Sequence, residues 1–369
     1  MTMKLIKLHV RGFRNLEEST LSFGSRFNIF HGNNAQGKTN LLEAIFILGT
    51  MKSFRLAKNQ DLIGWDQASS LISGSVEKDC VSREITLLIE RQGKKVRVDR
   101  KAVSRLSDFF GSLNVVVFSP EDLAMIKAAP ETRRRYLDRA VFSSDLTYLR
   151  HFHEYGKLLR HRNSLLRSGD TGSLDIWSRK LVETGAKIIT SRLTYIEAIN
   201  PLVSGFYRQI AGKDESAEIA YQPHCLDRDR LVPDPEAHFS ERLLAREREE
   251  LQRGTTVIGP HRDDLEFLLD GKLLRVHASQ GQQRTFVLAL KMAEIEYLRT
   301  KFTFPPVLLL DDMTSELDKD RNGNLMEFLE SRQMQVFITT TTLQNIKLHD
   351  IEKYPSFHIE AGRVVDARQ

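Results

Sequence analysis

The chain has 369 residues, too many for one small core and enough, at roughly 100 to 200 residues per domain, for two domains or one large elaborated one. Hydrophobic residues at 41%, charged residues at 28% and only 21 Gly and 10 Pro exclude the disordered and fibrous classes. The net charge of +5 permits a polyanionic partner without requiring one. Cys80 and Cys225 lie far apart with no CxxC or Cys/His spacing, against both a disulfide framework and a zinc site, so a reducing compartment is expected. Met1 to Val10 interrupts its apolar residues with Lys4, Lys7 and His9, unlike a signal peptide. No later apolar run approaches the roughly 18 residues of a membrane span. A cytoplasmic location with no membrane partner is the expectation.

In chain order, Leu5, Leu8 and Val10 open a strand, and Phe27 to Phe30 form a second that ends at a glycine. Gly32 to Thr39 is a polar loop, and Leu41, Leu42, Ala44, Ile45, Ile47 and Leu48 recur at helical spacing up to Gly49. Between Ser53 and Phe118, alternating runs such as Ile85 to Glu90 and Val96 to Asp99 flank the turn Arg91-Gln92-Gly93-Lys94 and predict an antiparallel β insertion. Val115 to Phe118 reads as a buried strand. Long charged helices follow over Tyr148 to Arg167 and Trp177 to Ala198, then a helix over Ser240 to Arg253 and β-like material from Thr255 to Val276. The chain closes with a helix over Gln282 to Thr300, a strand over Val307 to Leu310, a helix over Asp320 to Ser331 and a strand over Val336 to Thr340.

Gly32-Asn33-Asn34-Ala35-Gln36-Gly37-Lys38-Thr39 satisfies GxxxxGK[ST] between a strand and a helix, the context that motif requires. There the backbone wraps a phosphate, Lys38 reaches the β and γ phosphates, and the Thr39 hydroxyl is placed to ligate Mg²⁺. Such a loop needs an acidic partner at the end of a buried strand. Asp311, after Val307 to Leu310, is the metal candidate, and Asp312 the residue to polarise an attacking water. Ser279-Gln280-Gly281-Gln282-Gln283-Arg284 opens a helix, where Ser and Gly are ordinary capping residues. Its place before Asp311, with Ser315-Glu316-Leu317-Asp318 after, is the order of signature, acidic strand end and D-loop in an ABC-type ATPase head.

From Lys127 to Arg167 ten Lys/Arg face four acids, an excess suited to counterion release from a phosphate backbone. Arg133, Arg134, Arg135, Arg150, Arg160 and Arg162 are the candidate DNA contacts, with a solvated face of i,i+4 ion pairs as the plainer alternative. Lys52 and Arg55 suit nucleotide sensing or packing as well as DNA contact. His261-Arg262-Asp263-Asp264 is expected to form a loop ion-pair network rather than a metal site. Trp65 and Trp177 are expected in partial core.

With these motifs in this order, the chain resembles the RecF family of bacterial DNA-repair ATPases. Supporting segments are Val10-Arg11-Gly12-Phe13-Arg14-Asn15, Lys52-Ser53-Phe54-Arg55, Phe118-Ser119-Pro120-Glu121-Asp122-Leu123 and Gly259-Pro260-His261-Arg262-Asp263-Asp264. The resemblance implies an α/β fold: an ABC-type P-loop ATPase head whose lobe I is mixed α/β with a β-rich subregion, with an inserted helical lobe II. Expected boundaries are 1–119 for lobe I, 120–254 for the helical lobe and 255–369 for the C-terminal ATPase part. It also implies ATP and Mg²⁺ as cofactors, with Ser279, Gly281 and Gln282 of one protomer closing over the γ-phosphate held by another in an ATP-driven homodimer. The implied role is recombinational repair and the damage (SOS) response: binding single-stranded or gapped DNA and acting with RecO and RecR to load RecA. Glu121 stands where related heads carry a Q-loop glutamine, Thr340 where they carry a switch histidine, and Asp312 where many have Glu. Slow hydrolysis suited to a timed clamp is therefore expected. A small-molecule kinase acting as a monomer, or an ABC subunit of a transporter, are the competing classes.

Overall fold

The computed structural model describes residues 3–103, 109–226, 234–302, 304–313 and 317–368. Two compact units result, one of residues 1–123 and 294–369 and the other of 124–293. Among the described residues no helix is long and apolar enough to cross a membrane.

The first unit holds two six-stranded sheets. One runs Arg363–Arg368, Ser356–Glu360, Phe27–His31, Val336–Thr340, Val307–Leu310, Val115–Phe118, all parallel except the first pair. Its inner strands are almost wholly buried and mostly apolar, as a parallel sheet covered on both faces requires. The other is antiparallel: Ser19–Ser22, Met3–Arg11, Ser69–Lys78, Val81–Glu90, Gly93–Val98, Lys101–Ala102. Between them lies the helix Lys38–Thr50, buried from Leu41 to Gly49. Apart from Glu43 that stretch is apolar on every side, as a helix covered on every side requires. Two glycines permit the close approach: a Cβ on Gly49 would meet Val115 at 2.6 Å, and one on Gly74 would meet Leu48 at 2.4 Å. Gln335 ties the sheets by accepting from Leu5 N (2.7 Å) and donating to Leu5 O and Gly24 O.

The second unit packs the helices Pro130–Ser144, Leu146–Ser168 and Leu174–Ala211 with a three-stranded antiparallel sheet, Lys272–Leu273, Asp264–Leu269, Ala217–Gln222. The strand at Asp264–Leu269 pairs with Ala217–Gln222, a strand absent from the sequence expectations, so residues 255–293 fold with the helical unit and not beyond a boundary at 254/255. The helix expected over Ser240–Arg253 starts earlier, at Pro235, because Asp234 caps it by accepting from Glu236 N and Ala237 N, and it breaks at Arg246 into a second helix, Glu247–Arg253. The helix Gln280–Phe302 leads from this unit back into the first.

Candidate nucleotide site

The P-loop follows the strand Phe27–His31 and feeds the helix Lys38–Thr50. Gly32 (φ 141°) and Gly37 (φ 116°) adopt backbone that favours glycine, and a Cβ on Gly32 would stand 2.4 Å from Ile359 O. Gly32→Ala is therefore expected to displace the loop and weaken nucleotide binding at least about tenfold, with a measurable drop in Tm; equilibrium binding and calorimetry check both. The loop apex is braced from outside the motif. Gln36 accepts at its side chain from Ala361 N (2.6 Å) and at its carbonyl from Gly362 N (2.8 Å). Gln36, expected only as part of the phosphate cradle, thus joins the loop to the turn before Arg363–Arg368.

Lys38 is buried, and its ammonium donates to Gly32 O (2.6 Å) and Asn33 O (2.7 Å), within the loop it belongs to. Burial lowers its pKa, opposed by the charges of Asp312 and Asp311. Asp311, 6% exposed at the end of Val307–Leu310, accepts at Oδ1 from the hydroxyls of Thr39 (2.8 Å) and Thr339 (2.9 Å). Burial raises its pKa; the two hydroxyl bonds oppose this, and the charges of Glu121 and Asp312 add to it. Lys38, Thr39 and Asp311, distant in sequence, come together because the strands carrying the loop and the acid flank Val336–Thr340 in one parallel sheet.

Thr339 was missed by sequence reasoning. It donates to Asp311 and accepts from Asp312 N (2.9 Å), whereas Thr340, expected at the switch position, donates to Thr342 O (2.9 Å). Strand alternation turns the two hydroxyls opposite ways. Glu121, in the first turn of Pro120–Ala124, is exposed and acts on Asp311 through its charge. Asp312 sits at φ 51°.

The helix behind the loop carries Glu43, fully buried and bound by Arg14 in a bidentate pair (2.9 and 3.0 Å) and by the Ser53 hydroxyl (2.5 Å). Asn15 and Arg55 both bond Asn40, at 2.7 and 3.1 Å. Arg14, Asn15, Ser53 and Arg55 thus anchor their two segments to the P-loop helix.

Ser279 and Gln282 lie in the second unit. Gln282 N donates to Ser279 Oγ (3.2 Å) and Ser279 N to Gln282 Oε1 (2.9 Å), a reciprocal capping box at an exposed helix start, and Gln282 Nε2 also donates to Glu215 (3.1 Å). Gly281 accepts from Thr285 at its carbonyl. Ser315 and Glu316 of the expected D-loop lie outside the described residues.

The arginine expectations need correction. Arg133, 2% exposed, makes a bidentate pair with Asp264 (2.8 and 2.7 Å) and donates to Ala128 O. Arg162, 1% exposed, donates to Ser178, Thr256 and Glu250, the last at 2.6 Å. Neither presents its guanidinium to a phosphate, because each neutralises a carboxylate inside the unit. Arg134 donates to Asp263 O (2.7 Å), and Arg135 is exposed but pairs with Glu131. Arg150 and Arg160 are exposed on Leu146–Ser168. Trp177 is half-buried, against His161 at 3.8 Å, whereas Trp65, expected in partial core, is 92% exposed.

His261-Arg262-Asp263-Asp264 forms the expected polar network. Asp263 accepts from Arg192 (2.8 Å), Tyr221 and His224 N (2.7 Å), and His261 Nδ1 meets Tyr155 at 2.8 Å. Burial lowers His261 to about 4. Since the unfolded chain takes up this proton near 6.5, it binds more protons than the native state between pH 4 and 6.5. Stability should be full above 6.5 and decline as pH falls through that window, by on the order of 3 kcal/mol in total. Denaturant unfolding against pH, compared with His261→Gln, checks this; the variant should lose the His261 share of the slope, leaving that of His31, His151 and His224, which burial also lowers.

A model of the RecF/RecN/SMC N terminal domain matches residues 4–356. The chain is 55% identical to the DNA replication and repair protein RecF of Geotalea uraniireducens (strain Rf4), covering 98% of this chain and all of that one. It is 36% identical to the RecF of Bacillus cytotoxicus over 98% of both. Among solved structures, that of the recombination mediator protein RecF-ATP in the RecFOR pathway superposes with a TM-score of 0.90 at 34% identity, covering 100% and 99% of the two chains. An Smc head domain from Pyrococcus furiosus, at TM-score 0.53 and 16% identity over 99% and 95%, shares the fold. The architecture is that of an ABC-type ATPase head, and with a family model over nearly the whole length and relatives above half identical from end to end, the chain belongs to the RecF family of DNA replication and repair proteins.

Proposed function

We propose that the protein is an ATP-dependent DNA-binding protein of recombinational repair, closing as a dimer on gapped or single-strand/double-strand junction DNA and working with RecO and RecR to load RecA. The observation that carries the reading is the juxtaposition of Lys38, Thr39 and Thr339 around the buried carboxylate of Asp311.

These residues fit MgATP. Asp311, buried among like charges, gains from a cation, and Thr39 beside it is the hydroxyl to share that cation. Among the described residues the Lys38 ammonium is held by loop carbonyls, bonds that a phosphate can replace. Bound MgATP supplies the phosphoryl group whose hydrolysis times release from DNA. Lys38 and the loop amides would hold the phosphates, and Thr39 and Asp311 the metal. Asp312 orients water, and Thr339 fixes the Asp311-Asp312 turn by bonding a carboxylate oxygen and an amide at once. Ser279, Gly281 and Gln282 of a second copy would complete the site.

Sedimentation with and without MgATP and a labelled gapped duplex tests this. ATP-driven dimerisation with DNA retention, both lost in Ser279→Arg, is the expected result. A monomer that binds ATP, ignores DNA and tolerates Ser279→Arg would instead mark a substrate-directed kinase.

A further inference from the structure

The antiparallel sheet of the first unit has one face in the core and one in solvent, and several residues on the solvent face are cations or hydroxyls. Register places Arg11, Leu71, Leu88 and Lys95 in one row across four strands, and His9, Ser73, Thr86 and Arg97 in the next. Thr20 extends the second row, and Lys7 stands between Ser22 and Ser75 in a third. Lys7, Arg11 and Arg97 are exposed, and among the described residues no carboxylate pairs with any of them. The face also carries Glu77, Glu84 and Glu90, of which Glu84 and Glu90 are engaged by Arg100 (3.8 Å) and Lys95 (2.8 Å), and His9 of the second row pairs with Glu18 (3.6 Å). Leu71, Thr86, Leu88, Lys95 and Arg97 line part of an open hollow of about 490 Å³.

Trp65 stands at the Arg11 end of this sheet. It follows Gly64, whose amide donates to Gly12 O (2.8 Å), and Gly12 itself packs against Ser69 O at the start of the second strand of the row. An indole 92% exposed gains nothing from the core. An exposed aromatic carried to the Arg11 end of a sheet face with cations and hydroxyls on it is the combination that suits single-stranded nucleic acid, where bases stack on a ring while Lys and Arg follow the phosphates. A duplex, with its bases already stacked, would leave the indole unused.

We propose that Trp65 and the Lys7, Arg11 and Arg97 face form a binding surface for single-stranded DNA, Trp65 stacking on an unpaired base. This rests on the DNA-binding reading above and assigns it a surface other than the Lys127 to Arg167 helices. The test uses the full-length protein with MgATP. Trp177→Phe leaves Trp65 as the sole tryptophan, and its emission is followed during titration with oligo(dT) and with a blunt duplex, while labelled-oligonucleotide anisotropy reports binding of either. Saturable quenching by oligo(dT) and not by duplex is expected. In the otherwise native chain, Trp65→Ala should weaken oligo(dT) binding about tenfold, the scale of one stacking contact, leaving duplex affinity unchanged. Arg11→Gln with Arg97→Gln should reduce the log affinity against log salt slope by about 1.4, at roughly 0.7 per single-strand phosphate contact. If oligo(dT) binds while Trp65 stays unquenched and Trp65→Ala binds as tightly, the surface serves something else, such as a protein partner, and the proposal falls while the DNA-binding reading stands. If neither DNA binds, both fall.

Discussion

Lys38→Ala is expected to reduce ATP affinity on the order of a hundredfold or more, the scale of losing a preorganised charged donor from a phosphate site, and with it all ATP-driven dimerisation and DNA retention. The fold should survive, since among the described residues the ammonium bonds two carbonyls of its own loop and Asp311 keeps its bonds from Thr39 and Thr339. Asp311→Asn should behave differently. The amide still meets Thr39 and Thr339 but no longer offers a negative charge, so nucleotide binding in the absence of metal should persist while the enhancement by Mg²⁺ disappears. Isothermal titration with ATP, with and without Mg²⁺, separates the two. If Lys38→Ala binds MgATP as tightly as the native protein, the phosphate site lies elsewhere.

Arg192→Met should be the most destabilising single change, by about 3–5 kcal/mol, the cost of breaking a buried pair from one side. Arg192 donates to Asp138 (2.7 Å), Asp263 (2.8 Å), Tyr148 (3.0 Å) and Pro260 O (2.8 Å) from a position 2% exposed. Methionine fills much of the volume and satisfies none of these groups. Burial already raises the Asp263 pKa, and Arg192 is the largest influence holding it down, so its loss raises that pKa further. The folded variant then binds this proton more tightly than the unfolded chain does, and its stability falls as pH rises from the unfolded value near 3.9 through the raised folded one. The deficit against the native protein should accordingly shrink in acid. Urea unfolding at pH 5 and pH 8 reads it; a deficit independent of pH would mean that Asp263 keeps another cationic partner.

Much of the nucleotide site was legible in the sequence because its signals are local. A GxxxxGK[ST] loop bounded by an apolar strand and an apolar helix, and an apolar strand ending in Asp311-Asp312, each need only a few consecutive residues to be recognised. The strands Val115–Phe118 and Val307–Leu310 were equally plain as uninterrupted apolar runs, and Phe27–His31 and Val336–Thr340 as short, mostly apolar ones. The strand Ala217–Gln222 and the terminal hairpin Ser356–Glu360 with Arg363–Arg368 were not read, since short strands with polar residues resemble loop until a neighbour pairs with them.

Arg133 and Arg150 show the other side. Both sit in a basic helical stretch, and nothing in their immediate sequence separates them, yet one is locked to Asp264, 131 residues away, and the other is exposed. Burial of a charge depends on whether a carboxylate from another segment arrives beside it, which local pattern cannot report. The same holds for Thr339 and Thr340, told apart only by which face of the sheet meets Asp311, and for Gln36, claimed by a turn more than 320 residues further on. Trp65 reversed its expectation for the same reason: hydrophobicity favours a core position, but only the path of the chain decides whether a core is within reach. The sequence by itself therefore determined the ABC-type ATPase class, and it located the GxxxxGK[ST] loop and the acid-ended strand that the fold places side by side, because these are properties of contiguous segments. Tertiary structure decided which cations are exposed, which threonine holds the buried Asp311 carboxylate and which aromatic faces solvent, because each follows from contacts between segments far apart in the chain.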